Sequence, residues 1–124
     1  MDVQPAGTNI ASTRTADVAV VRITGEVDMG VYGRTREAVF DAFDGSAAGL
    51  VVDLTEVTFF GSAGISILVE AARYAEERGL GFAVATDVRA VVRPLTATGL
   101  DGVLRLRPDV TQATDAVRTA TTRL

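Results

Sequence analysis

The chain contains no cysteine, no histidine, no tryptophan and no lysine among its 124 residues. Each absence removes a class of chemistry. Without cysteine there is no disulfide framework and no thiol nucleophile. Without cysteine and histidine there is no ordinary zinc site, so a metal would have to be held by carboxylates alone. Without histidine there is no Ser-His-Asp triad, and without lysine there is neither a Schiff base nor a phosphate-loop lysine. Little of the common catalytic repertoire remains. The expectation is a binding or signalling protein, not an enzyme, with no cofactor.

Charge is also informative by what is missing. All 12 basic residues are arginine, set against 16 acidic ones, for a net charge of −4. The arginines are scattered singly, apart from Arg34/Arg36 and Arg105/Arg107. There is no basic stripe of the kind that meets a nucleic-acid backbone, so no direct nucleic acid is expected. A partner with a basic surface suits the acidic balance better. The longest uncharged stretch, Val57 to Val69, has 13 residues. A membrane helix needs about 20. Met1 to Pro5 has no basic segment leading into an apolar run, so no signal peptide is read. The expected location is the cytoplasm.

What is present is ordinary for a globular chain: 48% hydrophobic and 23% charged residues. The length implies one domain. Residues 1–8, with Pro5 and Gly7, are expected to be a flexible N-terminus, and 9–124 the domain. Ile10 to Arg14 reads as a weak strand. Val18 to Ile23 reads as a strong β-branched strand ended by Gly25, with a turn at Ala16-Asp17 between the two. Gly30 to Gly33 reads as a loop. A helix follows around Val39 and Phe43 and stops at Asp44-Gly45-Ser46. Leu50 to Leu54 is a near-continuous apolar run, the mark of a strand buried on both faces. Thr55 to Gly61 reads as a loop, and Phe59 or Phe60 is expected to fill the core.

From Ser62 a second helix is expected to run to about Arg78, with Ile65, Leu68, Val69 and Ala72 on one face and Gly79 as its stop. Gly81 to Ala85 reads as a buried strand. Asp87 can cap a third helix through Val91 and Leu95, kinked or shortened by Pro94. Val103 to Leu106 reads as a last strand. Asp109, with Gln112 three residues on, resembles a capping box for a helix to Leu124. The order is β-β-α-β-α-β-α-β-α. It implies an α/β domain with a mixed, mostly parallel sheet of about five strands and about four helices.

The most informative segment is the buried strand, loop and helix from Val51 to Ile65. It delivers Ser62, flanked by Gly61, Ala63 and Gly64, to a helix N-terminus. Unpaired amides and the positive end of the helix dipole favour an anion there. A phosphate on Ser62 is expected to meet the amides of Ala63, Gly64 and Ile65. The plainer reading makes Ser62 an N-cap. A nucleophile elbow is excluded, since Phe60 stands where glycine is required and no histidine exists.

Asp53-Leu54-Thr55-Glu56-Val57-Thr58-Phe59-Phe60-Gly61-Ser62-Ala63-Gly64-Ile65 resembles the signature of STAS domains, specifically of bacterial anti-sigma factor antagonists. Ile23-Thr24-Gly25-Glu26-Val27-Asp28 is similar to a second family motif, and Thr98-Gly99-Leu100 to a third. The resemblance implies a STAS-like domain that binds an anti-sigma factor and releases a sigma factor. The anti-sigma factor would also be an ATP-dependent serine kinase, and Ser62 the residue it phosphorylates. Asp28, Ser62, Gly64, Ile65 and Gly99 are the implied partner-binding positions. Two positions depart from the pattern: Gly61 replaces an acidic residue and Ala63 replaces serine or threonine. The alternative is a STAS module that senses a ligand or nucleotide within a stress-signalling assembly and is not switched.

Overall fold

The run Leu50 to Leu54 lies at the centre of the molecule because neither of its faces can meet water. It belongs to β3 (Gly49–Phe60), which is flanked by β2 (Val18–Val27) and β4 (Gly81–Ala85). The computed structural model describes residues 8–15 and 17–122. The sheet has five strands in sequence order, with β1 (Asn9–Thr15) at one edge and β5 (Leu106–Arg107) at the other. β1 is antiparallel to β2 and all other pairings are parallel. This is the expected mixed α/β sheet.

Five helices cover it, one more than expected: α1 (Tyr32–Asp41), α2 (Ser62–Glu77), α3 (Arg89–Ala97), the single turn α4 (Leu100–Val103) and α5 (Val110–Thr122). Val39, Ile67, Leu68, Val91 and Leu95 from α1, α2 and α3 pack on one face, against Ile23, Leu50, Val52 and Leu54. Ala113 and Val117 of α5 pack on the other, against Val18, Val20, Val51, Ala83 and Ala85. Alanines on both sides of that second layer bring α5 close to the sheet.

Several boundaries differ from the sequence reading, each for a tertiary reason. β2 does not end at Gly25, and Thr55 to Phe60 is not a loop. The two segments pair with each other, Thr24 with Glu56, Gly25 with Val57, Glu26 with Phe59 and Val27 with Phe60. Two irregularities in register, at Arg22/Thr24 and Gly25/Glu26, break the two-residue alternation. That break hides the strands from a periodicity reading. Gly30 to Gly33 is likewise not a loop, because a 3₁₀ turn (Met29–Val31) leads directly into α1.

In α2 the buried positions are Ala63, Gly64, Ile67, Leu68, Ala71 and Ala75. Ile65, Val69 and Ala72 are only half-buried. The helix is apolar over more than one face, and the sheet decides which part is covered. Asp87 does not cap α3. Thr86 Oγ1 accepts from the Val88 amide instead, at 3.0 Å, while donating to the Leu54 carbonyl at 3.2 Å. Pro94 lies inside the nine-residue α3. The last strand is not Val103 to Leu106. Gly99, at φ 75°, allows the chain to start α4, which takes up Val103 and leaves two residues for β5.

Asp109 does begin α5, with Oδ1 accepting from the Gln112 amide at 2.9 Å. The expected end of that helix at Leu124, and the turn residue Ala16, lie outside the described residues. So do residues 1–7 of the expected flexible N-terminus. Thr8 is buried and its hydroxyl donates to the Glu26 carbonyl. Among the described residues, no helix is long and apolar enough to cross a membrane.

Candidate functional site

The site forms where β2 and β3 end side by side. Val27 and Phe60 are paired residues at the last rung. One residue further on, the Gly61 amide donates to the Val27 carbonyl at 3.0 Å. The two chains therefore leave the sheet together, one into Asp28 and the other into Gly61-Ser62.

On the β2 side, Asp28 caps the 3₁₀ turn, its Oδ1 accepting from the Gly30 amide at 3.0 Å. Its side chain does turn work and stays exposed. On the β3 side, the N-cap of α2 is Gly61, with extended backbone at φ −91° and ψ −174°. Ser62 is the first helical residue. It is exposed, and its hydroxyl does not cap the helix. The plain N-cap reading of Ser62 therefore fails.

The amides differ from expectation. Those of Gly64 and Ile65 already donate to the Gly61 carbonyl, at 3.0 and 3.3 Å. The first turn closes on Gly61 because Gly61 is the cap. Among the described residues, only the amides of Ser62 and Ala63 are left for an anion at this helix end.

Gly64 is buried, and a Cβ on it would stand 2.6 Å from Phe60 Cε1. Its small size seats the Phe60 ring under the helix start and does not open the surface to a visitor. Gly64→Ala is expected to lower stability by about 2 kcal/mol through overpacking. Urea unfolding measures it, and an unchanged midpoint would show the ring to be free to move. Ile65 is half-buried against the main core. Gly99 lies at the α3–α4 break, where its amide donates to the Thr96 carbonyl at 3.1 Å.

Two residues at the site were not singled out from sequence. Met29 is 76% exposed and Phe59 50% exposed, both next to the last rung. Of the Phe59-Phe60 pair, Phe60 is the buried member. Single apolar residues carry no signal of exposure until the sheet sets which side they face. Behind the site, α1 and α2 are clamped by Glu70, which accepts from Tyr32 OH at 3.2 Å and from Arg36 Nε at 2.9 Å. The Glu70 carboxylate raises the Arg36 guanidinium above its ordinary value.

This sheet order, with α1, α2 and α3 on one face and α5 on the other, and a serine opening the helix after the central strand, defines a class. The sequence pattern of the STAS domain matches residues 9–113. The chain belongs to the STAS domain family. It is 34% identical over 103 residues to the anti-sigma-F factor antagonist RsfB of Mycobacterium tuberculosis, covering 82% of each chain. A crystal structure of an anti-sigma factor antagonist from Mycobacterium paratuberculosis superposes with a TM-score of 0.79 at 32% identity, covering 93% of this chain and 97% of that one. The phosphorylated form of the Bacillus cell fate determinant SpoIIAA shares the fold at a TM-score of 0.68 and 18% identity, covering 89% and 100%.

Proposed function

We propose that this protein is an anti-sigma factor antagonist. It binds an anti-sigma factor of the serine-kinase type, a sigma factor is released, and phosphorylation of Ser62 ends the binding. The observation that carries the reading is Ser62 itself: an exposed hydroxyl, free of capping duty, beside Asp28 at the end of two paired strands. The protein acts by binding and catalyses nothing; its place of action is the cytoplasm.

The chemistry follows from the surroundings. A phosphoryl group on Ser62 adds about −1.5 to −2 charges. In the free chain that charge is stabilised by the open amides of Ser62 and Ala63 and by the helix dipole. In a complex it would be trapped between the apolar side chains of Met29 and Phe59 and the partner. Desolvating it there without a dedicated cation is costly. The modified protein stays folded and lets go.

Purification of the chain with its partner from the native host is expected to bring down an ATP-binding anti-sigma factor. Phosphopeptide mapping is expected to place the label on Ser62. A label on Thr55, Thr58 or Ser66 would overturn the assignment.

A STAS module without a switch is the second reading, favoured by the departures at Gly61 and Ala63. Gly61→Asp separates the two. The backbone there is extended, and an added Cβ would press only on the half-exposed Phe59 ring, 3.3 Å away. The melting temperature is expected to stay within about 2 °C of wild type, a change of under about 1 kcal/mol. Phosphorylation of Ser62 by the co-purified kinase is expected to slow about tenfold, or 1.4 kcal/mol of barrier, because the tip has grown. A tenfold acceleration would mark the wild-type chain as a poor substrate and favour the second reading.

A further inference from the structure

No residue of the 3₁₀ turn Met29–Val31, between β2 and α1, is buried. Yet this turn and its cap carry Met29 and Asp28, which stand beside Ser62 at the site. Val31 and Tyr32 lean on the main core. Apolar contact of that kind is non-directional and does not fix where a turn points. Hydrogen bonds at its two ends do. At the first end the Gly61 amide donates to the Val27 carbonyl at 3.0 Å. At the other, the Tyr32 amide donates to the Met29 carbonyl, and the Tyr32 hydroxyl donates to Glu70 Oε2 at 3.2 Å. Gly61 and Glu70 lie on either side of Ser62 on one continuous piece of chain. The turn is therefore hung at both ends from the segment that presents Ser62.

Glu70 is itself aimed. Its Oε1 accepts from Arg36 Nε at 2.9 Å, so each carboxylate oxygen has one donor from α1. The Arg36 guanidinium lies 4.5 Å from the centre of the Phe40 ring, and that ring meets Tyr74 edge-on at 5.2 Å. Tyr32, Arg36 and Phe40 are one turn apart on α1, as Glu70 and Tyr74 are on α2. A slip of one turn between the helices, about 5.4 Å, would break every one of these contacts. The Arg36 and Glu70 side chains are 46% and 38% exposed. An ion pair as open as this adds little to stability. Its consequence is geometric.

We propose that Glu70 is a positioning residue for partner binding, acting through the Tyr32 hydroxyl on the turn that carries Asp28 and Met29. The proposal rests on the reading of this protein as an anti-sigma factor antagonist. Glu70 does not touch the partner. It holds the turn and the start of α2 as one preorganised surface, so association does not have to order the turn first.

The test is calorimetric titration of full-length variants with the co-purified anti-sigma factor. Tyr32→Phe and Glu70→Ala are each expected to weaken binding about tenfold, with melting temperatures within about 4 °C of wild type. The two together are expected to bind no more weakly than either alone, because they break the same bond. Glu70→Gln keeps an acceptor for the Tyr32 hydroxyl and is expected to bind within about threefold of wild type. In a Met29→Ala background the effect of Tyr32→Phe is expected to shrink to about threefold, whereas a merely structural loss would remain in full. In the free chain, exchange of the Gly30 and Val31 amides is expected to quicken in Tyr32→Phe. Wild-type affinity in both Tyr32→Phe and Glu70→Ala would overturn the proposal and leave the antagonist reading standing. So would a loss that Met29→Ala does not reduce, or unchanged exchange in the turn. A wild-type chain that does not bind the anti-sigma factor would overturn the antagonist reading and the proposal with it.

Discussion

Gly49→Ala is expected to lose about 4 kcal/mol or more of stability, at the far end of the range for single substitutions. The residue opens β3 at φ +145°, a conformation that side chains rarely adopt. A Cβ there would lie 2.0 Å from the Gly81 carbonyl oxygen of β4. That oxygen cannot retreat, because Gly81 is itself pinned from the other side. A Cβ on Gly81 would stand 2.4 Å from the Val117 carbonyl oxygen of α5. β3, β4 and α5 thus meet backbone to backbone at two glycines, and no flexible side chain can yield. Gly81→Ala is expected to cost a similar amount. For a chain of this length the fall in melting temperature is about 15 °C. Gly99→Ala is the natural control. It is also left-handed, at φ 75°, but nothing lies within 4 Å of its added Cβ. The cost there is the backbone term alone, about 1 to 2 kcal/mol. Calorimetric melts of the three variants decide the matter, and equal losses would show that the close approach is not what matters.

Ser62→Asp is expected to weaken binding to the anti-sigma factor about a hundredfold, or 2.7 kcal/mol, while leaving the fold as stable as before or more so. The two effects have opposite signs for one reason. At the first position of α2 an acid is favoured by the helix dipole, by about 0.3 to 1 kcal/mol. In the complex the same charge has to be desolvated against Met29 and Phe59. Ser62→Ala is expected to retain both binding and stability, because Gly61 caps the helix and the serine hydroxyl does not. Titration calorimetry with the purified anti-sigma factor, alongside melts of each variant, checks all three statements. A Ser62→Asp variant that binds like wild type would remove charge as the switch. Loss of binding in Ser62→Ala would make the hydroxyl a contact and not only an acceptor.

Much of this protein was legible in one dimension. The Leu50–Leu54 run announced a central strand because consecutive apolar residues, here broken only by Asp53, mark a strand buried on both faces. Asp109 with Gln112 announced the start of α5 because a cap acts within one turn. The absent residue types removed most enzyme chemistry without reference to any shape. Ser62 stood out because small residues around a serine at a strand–helix turn are a local pattern.

Other features were settled only in three dimensions. Glu26-Val27 and Thr58-Phe59-Phe60 have no regular alternation, and each becomes a strand only because the other supplies its hydrogen bonds across a bulged register. α2 is apolar around more than half its girth, so the sheet beneath it chose Ile67 and Ala71 over Val69 and Ala72 for burial. Whether Ser62 caps the helix or merely begins it depended on one residue of phase. That phase was set where the Gly61 amide bonds to the Val27 carbonyl, 34 positions earlier in the chain. Met29 and Phe59 became a surface for the same reason. Local sequence determines which residues can cap, turn or fill a core. Hydrogen bonds between distant strands, and the face a neighbour happens to cover, determine which of them do.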